Sequence, residues 1–278
     1  MRSLFLFLAA AAFGQAANFP TDFQAGLRLY ASNKFPEARA AFEALIASAP
    51  SPEAKDVALA QASYCEAQLK HGDAATALAA GIKDKSQSIL CRMNILTIQT
   101  KYAEVWALSK TEDFTTWPDA LIYDAYVCRG NAASRLRQAA DAERDYRAAL
   151  GATINDYKQA VVYLQLGRLA QGPAALACYD EILKLKAPGG TMRYQAVAGR
   201  ARLLAAEGKG ALALAEFDRV GELTKQPHWS MVQMARAATY ETLGETAKAR
   251  ACYEAIISAS QPPADLLATA KAKLAALR

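Results

Sequence analysis

An alanine followed four residues later by an aromatic recurs along the chain at Ala38 and Phe42, Ala142 and Tyr146, Ala175 and Tyr179, Ala213 and Phe217, and Ala249 and Tyr253. Three residues past each aromatic stands Leu45, Ala149, Ile182, Val220 or Ile256, so the three positions share one stripe of a helix. Between the later alanines the spacing is 33, 38 and 36 residues. A small residue lets two antiparallel helices approach closely, and an aromatic one turn further fills the wedge against the next pair. The chain is thus restricted to repeated helix hairpins.

The surrounding text agrees. Helical periodicity runs nearly throughout, and the alternation that marks strands is missing. Segments of about 10 to 15 residues are cut by short breakers such as ASNKF, KHGD, APGGT, AEGKG and LGET. With 15 glycines and 10 prolines in 278 residues, and an apolar fraction rich in alanine, the composition favours helices. The net charge of +5 comes from interleaved signs, as in AERDYRAAL, which excludes a polybasic tract for nucleic acid.

These residues resemble the tetratricopeptide repeat family, whose unit is about 34 residues long. Gly26, Leu29, Phe35, Ala38, Phe42 and Pro50 fit its pattern in the first unit, and Ala237, Tyr240, Gly244, Ala249, Tyr253 and Pro262 in the last. The resemblance implies an all-α, right-handed superhelix of six or seven helix pairs over 18–262. Residues 53–112 are expected to be irregular, because the motif aromatic falls on Gly81 in one candidate unit and on Ser109 in the next. The stretch 263–278, with its apolar stripe and opposed lysines, is expected to cap the array.

The first residues, MRSLFLFLAAAAFGQAA, combine one positive charge, an apolar run from Leu4 to Phe13, and small residues at Gly14 and Ala16. This is the pattern of a secretory signal peptide over 1–17, with cleavage after Ala16 or Ala17. The run is shorter than the ~20 residues a membrane span needs. A periplasmic or secreted location follows, with no stable membrane insertion. The five cysteines, Cys65, Cys91, Cys128, Cys178 and Cys252, are scattered without a C-x-x-C and read as buried thiols.

The chemistry-bearing motifs are sparse. In AEGKGALALAEF, Gly208-Lys209 invites comparison with a phosphate-binding loop, but Leu203 stands where the first glycine belongs and Gly210 replaces the hydroxyl residue. The stretch reads as a turn between two helices. His71 and His228 stand far apart in sequence, and Glu112 with Asp113 or Asp141 with Glu143 have no apolar surroundings to raise a pKa. No catalytic residue, cofactor site or metal site is expected.

What the resemblance implies is a groove lined by the first helix of each unit, gripping an extended peptide or a partner helix. Mapped on the register, its lining includes Phe23, Leu27 and Tyr30, then Val127, Asn131 and Arg135, then Arg202, then Met234 and Glu241. Asn131 and Arg135 lie one turn apart, as a carboxylate clamp requires. The expected function is a non-catalytic scaffold for a protein or peptide partner in the cell envelope. The alternatives are a self-associating structural protein, which would form a homo-oligomer, and the helical part of a cell-wall-active system.

Overall fold

The computed structural model describes residues 18–219, 225 and 228–277. The expected signal segment 1–17 and Val220 lie outside the described residues. Among the described residues every regular element is a helix, and no helix is long and apolar enough to cross a membrane. The chain divides between Ala152 and Thr153 into two compact units.

The first unit holds four hairpins: α1 (Phe19–Ala31) with α2 (Phe35–Ala47), α3 (Pro52–Gln68) with α4 (Gly72–Ala80), α5 (Lys85–Ile98) with α6 (Tyr102–Ser109), and α7 (Asp119–Arg135) with α8 (Ala139–Gly151). The second holds three: α9 (Asp156–Leu169) with α10 (Gly172–Lys184), α11 (Gly190–Ala206) with α12 (Gly210–Ala215), and α13 (His228–Thr242) with α14 (Thr246–Ser258). A last helix, α15 (Ala264–Ala276), packs against α14 and α13 as the expected cap.

One turn closes six of these hairpins. Asn33, Lys70, Thr100, Arg137, Gly208 and Gly244 each adopt positive φ, between 59° and 74°. The next residue's amide then reaches back five residues, from Lys34 to Leu29, His71 to Glu66, Lys101 to Leu96, Gln138 to Ala133, Lys209 to Leu204 and Glu245 to Tyr240, at 2.8–3.0 Å. This Schellman closure satisfies the carbonyls that a helix end leaves open. Gly208, Gly244 and, less freely, Asn33 are residue types suited to that conformation; Thr100, being β-branched, is the most strained of the others. Starts are fixed as well: Ser51, Asp84 and Asn155 accept from the amides of Ala54, Gln87 and Lys158 at 3.2, 2.7 and 3.0 Å.

The register carries the core. Ala38, Phe42, Leu45, Ala142, Tyr146, Ala149, Ala175, Tyr179, Ile182, Ala213, Phe217, Ala249, Tyr253 and Ile256 are all buried. Sixteen residues before the aromatic stands a small residue of the first helix: Gly26 before Phe42, Gly130 before Tyr146, Ala201 before Phe217, Ala237 before Tyr253. A Cβ at Gly26 would stand 2.8 Å from Phe42 Cε1, and one at Gly130 2.9 Å from Tyr146 Cε1, so glycine permits the ring to lie on the helix backbone.

The stretch 53–112, expected to be irregular, contains two hairpins closed by the same turn at Lys70 and Thr100. The motif aromatic becomes Ala79 in α4, four residues after the fully buried Ala75, and not Gly81, which caps that helix. In α6 the position is held by Ser109, also fully buried and bonded to the Val105 carbonyl at 2.7 Å. Cluster packing there is rebuilt from Met93, Phe114, Trp117 and Leu121.

One residue before the register pair, arginines of the first helix meet acids of the second. Arg129 grips Asp145 through Nε to Oδ2 at 2.8 Å and Nη2 to Oδ1 at 3.0 Å, both side chains buried. Its Nη1 also donates to the carbonyls of Ser109 and Glu112, at 2.9 and 3.0 Å, while the guanidinium stacks 4.2 Å from the Phe114 ring. In the second unit Arg200 holds Glu216 at 2.8 and 3.0 Å and Asp180 at 2.6 Å. These pairs tie successive helices together and neutralise the charges they hold.

Candidate binding face

The second unit departs from the common register at one hairpin, and the departure builds a site. Between α9 and α10 only two residues intervene, and the turn is made by Gly172 at φ 52°. The hairpin is shorter by about one helical turn, so the glycine facing Tyr179 is Gly167, twelve residues earlier instead of sixteen. Tyr179 rises from α10 and lies between α9 and α11. A Cβ on Gly167 would stand 2.7 Å from its Cε1, and one on Gly199 2.5 Å from its Cζ. Both flanking helices must present bare backbone for the ring to pass.

The residue after Gly167 is Arg168, and one turn beyond Gly199 is Arg202. Both arginines are exposed. Burial pushes the Tyr179 phenol above its ordinary range, and the charges of Arg202 and Arg168 oppose that rise. Arg202 acts in the same sense on Tyr194, whose pKa burial also raises. Arg168 reaches across the α9/α11 seam to donate from Nη2 to Gln195 Oε1 at 3.1 Å. The charges of two arginines on adjacent helices thus act on one phenol.

The neighbouring acids are occupied. Asp180 and Glu216 hold Arg200, Glu181 holds Lys184 at 2.7 Å, and Asp156 accepts from the Ala187 amide at 2.7 Å. Helix α11 carries no acid in its sequence. Among the described residues no carboxylate pairs with Arg168 or Arg202, and the Tyr179 hydroxyl makes no hydrogen bond. The other motif tyrosines differ: Tyr146 donates to Asn131 Oδ1 at 2.8 Å, and Tyr253 to Glu241 Oε1 at 2.9 Å. Chemically the seam offers two exposed cations near apolar Tyr194 and Ala198, which suits an anionic group.

The residues expected to line a groove meet several fates. Phe23 and Leu27 are core, packed with Phe19 and Phe42, and Phe23 meets Phe42 edge-on at 5.4 Å. Val127 is likewise buried on α7. All three correct the reading of these positions as open surface. Tyr30 is half-buried against Phe35, its hydroxyl accepting from Gln68 Nε2 at 3.1 Å. Asn131 is committed to Tyr146, while Arg135 is exposed with its Cζ 5.8 Å from the centre of Tyr102. Met234 packs against Ala237, Tyr253, Ile256 and Ala270, and Glu241 also meets Lys273 at 3.3 Å.

Arg202 alone joins the unpaired seam. Its partners Arg168 and Tyr179 were not among the expected lining, and their signal was the glycine pair, Gly167 and Gly199, flanking one tyrosine. The Gly208-Lys209-Gly210 stretch is a hairpin turn, with Lys209 Nζ 2.7 Å from Glu207 Oε2. His71 sits on Glu66 at 2.7 Å, and Trp117 packs on Phe114 at 4.7 Å.

No family model matches this chain, and no curated protein matches it. Among solved structures it is similar to a tetratricopeptide repeat protein from Parabacteroides merdae ATCC 43184, with 16% identity over 94% of this chain and 90% of that one, and a TM-score of 0.46. The hairpins themselves define the class: all-α helical repeats with a small residue on one helix under an aromatic of the next, as in tetratricopeptide units.

Proposed function

We propose that the chain is a non-catalytic interaction scaffold that takes a peptide or protein partner on the first-helix face of its hairpins. The observation that supports this reading is that Arg168 and Arg202, on adjacent helices, are exposed and meet no carboxylate among the described residues. Rigid helices lose little freedom on binding, so contacts at such a face convert efficiently into affinity. The composition of 1–17 adds that the scaffold acts after export, in the periplasm or outside the cell.

Two experiments test the two parts. Crosslinking in living cells, followed by identification of adducts, should give a discrete partner; self-adducts alone would favour the self-associating alternative, and light scattering would then show an oligomer. For export, the N-terminal residue of the purified protein should be Ala17 or Asn18. An intact Met1 on protein confined to the cytosol would contradict it.

A further inference from the structure

The cap helix α15 is joined to the array by a strained connection. We infer that α15 exchanges between two copies of this chain, each docking its cap on the α13/α14 face of the other to give a closed, symmetric dimer. The partner is the chain itself, so the inference goes beyond the scaffold reading.

Ala259 to Pro263 connect α14 to α15. Ala259 and Pro263 are extended, at φ −66° with ψ 149° and at φ −55° with ψ 133°. Between them Gln261 is exposed and left-handed, at φ 56°. The ring of a following proline pushes the residue before it toward extended backbone, and any residue with a Cβ resists the left-handed region. At the six hairpin turns described above, the residue after the left-handed one donates its amide five residues back and offsets that cost. After Gln261 stands Pro262, which has no amide to donate. Gln261 is therefore strained without the bond that compensates the other turns, and an extended Gln261 relieves the strain by carrying α15 away from its own α14.

The face that α15 leaves is apolar. Ala270 is buried with Ala237, Tyr253 and Ile256, and Leu274 and Leu277 pack on the same cluster beside Met234 and Ile257. Release puts these groups in water, and a second copy offers an identical helix to cover them. The polar ties, Lys273 Nζ to Glu241 Oε2 at 3.3 Å and Arg250 Nη2 to the Leu277 carbonyl, re-form between chains in the same way. Among the described residues of α15 only Ala270 is buried, so undocking disturbs little of the core. The exchanged dimer keeps the contacts of the closed cap and relaxes two hinges, the condition under which short strained connections favour swapping. Lost freedom on association opposes it, so protein concentration sets the balance.

The test uses the full chain, grown on light or heavy nitrogen, mixed, unfolded in urea and refolded together at high concentration. Size-exclusion chromatography with light scattering should resolve a monomer and a dimer. A carbodiimide should then join Lys273 to Glu241. In the dimer, linked peptides should pair light with heavy sequence; in the monomer they should not. Gln261→Gly, which takes the left-handed turn freely, should raise the dimer dissociation constant by about tenfold. Gln261→Pro, with φ fixed at about −65°, should shift the chain toward dimer. Circular dichroism confirms that each variant is folded. If Gln261→Pro is not, mixed links in the unsubstituted dimer and the weaker dimer of Gln261→Gly still decide. A dimer whose Lys273–Glu241 links are all unmixed overturns the inference, because another face then holds it. So does a chain that stays monomeric throughout, or a dimer that Gln261→Gly leaves unweakened. Capture of a partner in cells is a separate result, so the scaffold reading survives the failure of this one.

Discussion

Replacing Asp145 by alanine removes both oxygens that Arg129 grips at 2.8 and 3.0 Å, deep in the first unit. The guanidinium keeps the carbonyls of Ser109 and Glu112 and the Phe114 face, yet loses its only buried counter-charge. An uncompensated charge at a buried site costs about 3–5 kcal/mol. Arg129→Met should cost less, about 2–3 kcal/mol, because Asp145 retains Arg144, whose Nη2 lies 3.3 Å away and reaches solvent. In the double variant, Arg129→Met with Asp145→Leu, the two losses should fall short of additivity by about 2–3 kcal/mol, since neither charge is stranded. Urea unfolding followed by tryptophan fluorescence suits the purpose, as Trp117 contacts Phe114 beside the pair. Additivity within about 0.5 kcal/mol, or an Asp145→Ala loss under about 1 kcal/mol, would refute the claim that this pair locks α7 to α8.

Thr100→Gly should stabilise the first unit by about 0.5–1 kcal/mol, because a β-branched residue now holds φ at 61°; Gly208→Ala should cost about 1 kcal/mol, and thermal unfolding reads both. Acid should erode stability: burial raises the Glu66 and Glu216 carboxyls, but His71 and Arg39 on the former, and Arg200 and Arg219 on the latter, bring both below the ordinary value of 4.5. With folded pKa values depressed, their contribution is complete above about pH 4.5 and lost as pH falls through the folded values. Glu216→Gln should therefore flatten the acid limb of a stability profile, and an unchanged limb would count against the pairing. Burial raises the thiols of Cys65, Cys91 and Cys128 to about 12. A disulfide reagent at pH 8 should thus spare them until the chain is unfolded; rapid labelling in the native state would contradict their burial.

The hairpins were legible where volume contrast was large. A glycine or alanine against a tyrosine or phenylalanine leaves a mark in sequence, so Gly26 with Phe42 and Ala237 with Tyr253 could be read directly. Ala79 and Ser109 remove that contrast, and the α3 to α6 stretch looked irregular although its backbone follows the same turn. The turn was concealed for another reason. At Asn33, Lys70, Thr100 and Arg137 the left-handed residue is held by Schellman hydrogen bonds, and no glycine announces it.

The site was half legible. Arg202 follows from a register that assumes sixteen residues between the small position and the aromatic. The α9–α10 hairpin is shorter, which moves Gly167 and Arg168 one turn along the helix, and a fixed repeat length passes over them. Phe23 and Leu27 show the converse limit: their register places them on the first helix's inner side, but Phe19 and Phe42 close over them.

The central claim is that the α11 side of the seam meets a partner. A photo-crosslinking amino acid in place of Ala206, exposed one turn beyond Arg202, reports on that face; the same replacement of exposed Ala211 on α12 is the control. After irradiation in cells, position 206 should yield one discrete adduct that disappears when Arg168 and Arg202 are both changed to glutamine, and position 211 should yield none. Equal adducts from both positions, or an adduct at 206 that survives loss of the arginines, would contradict the account.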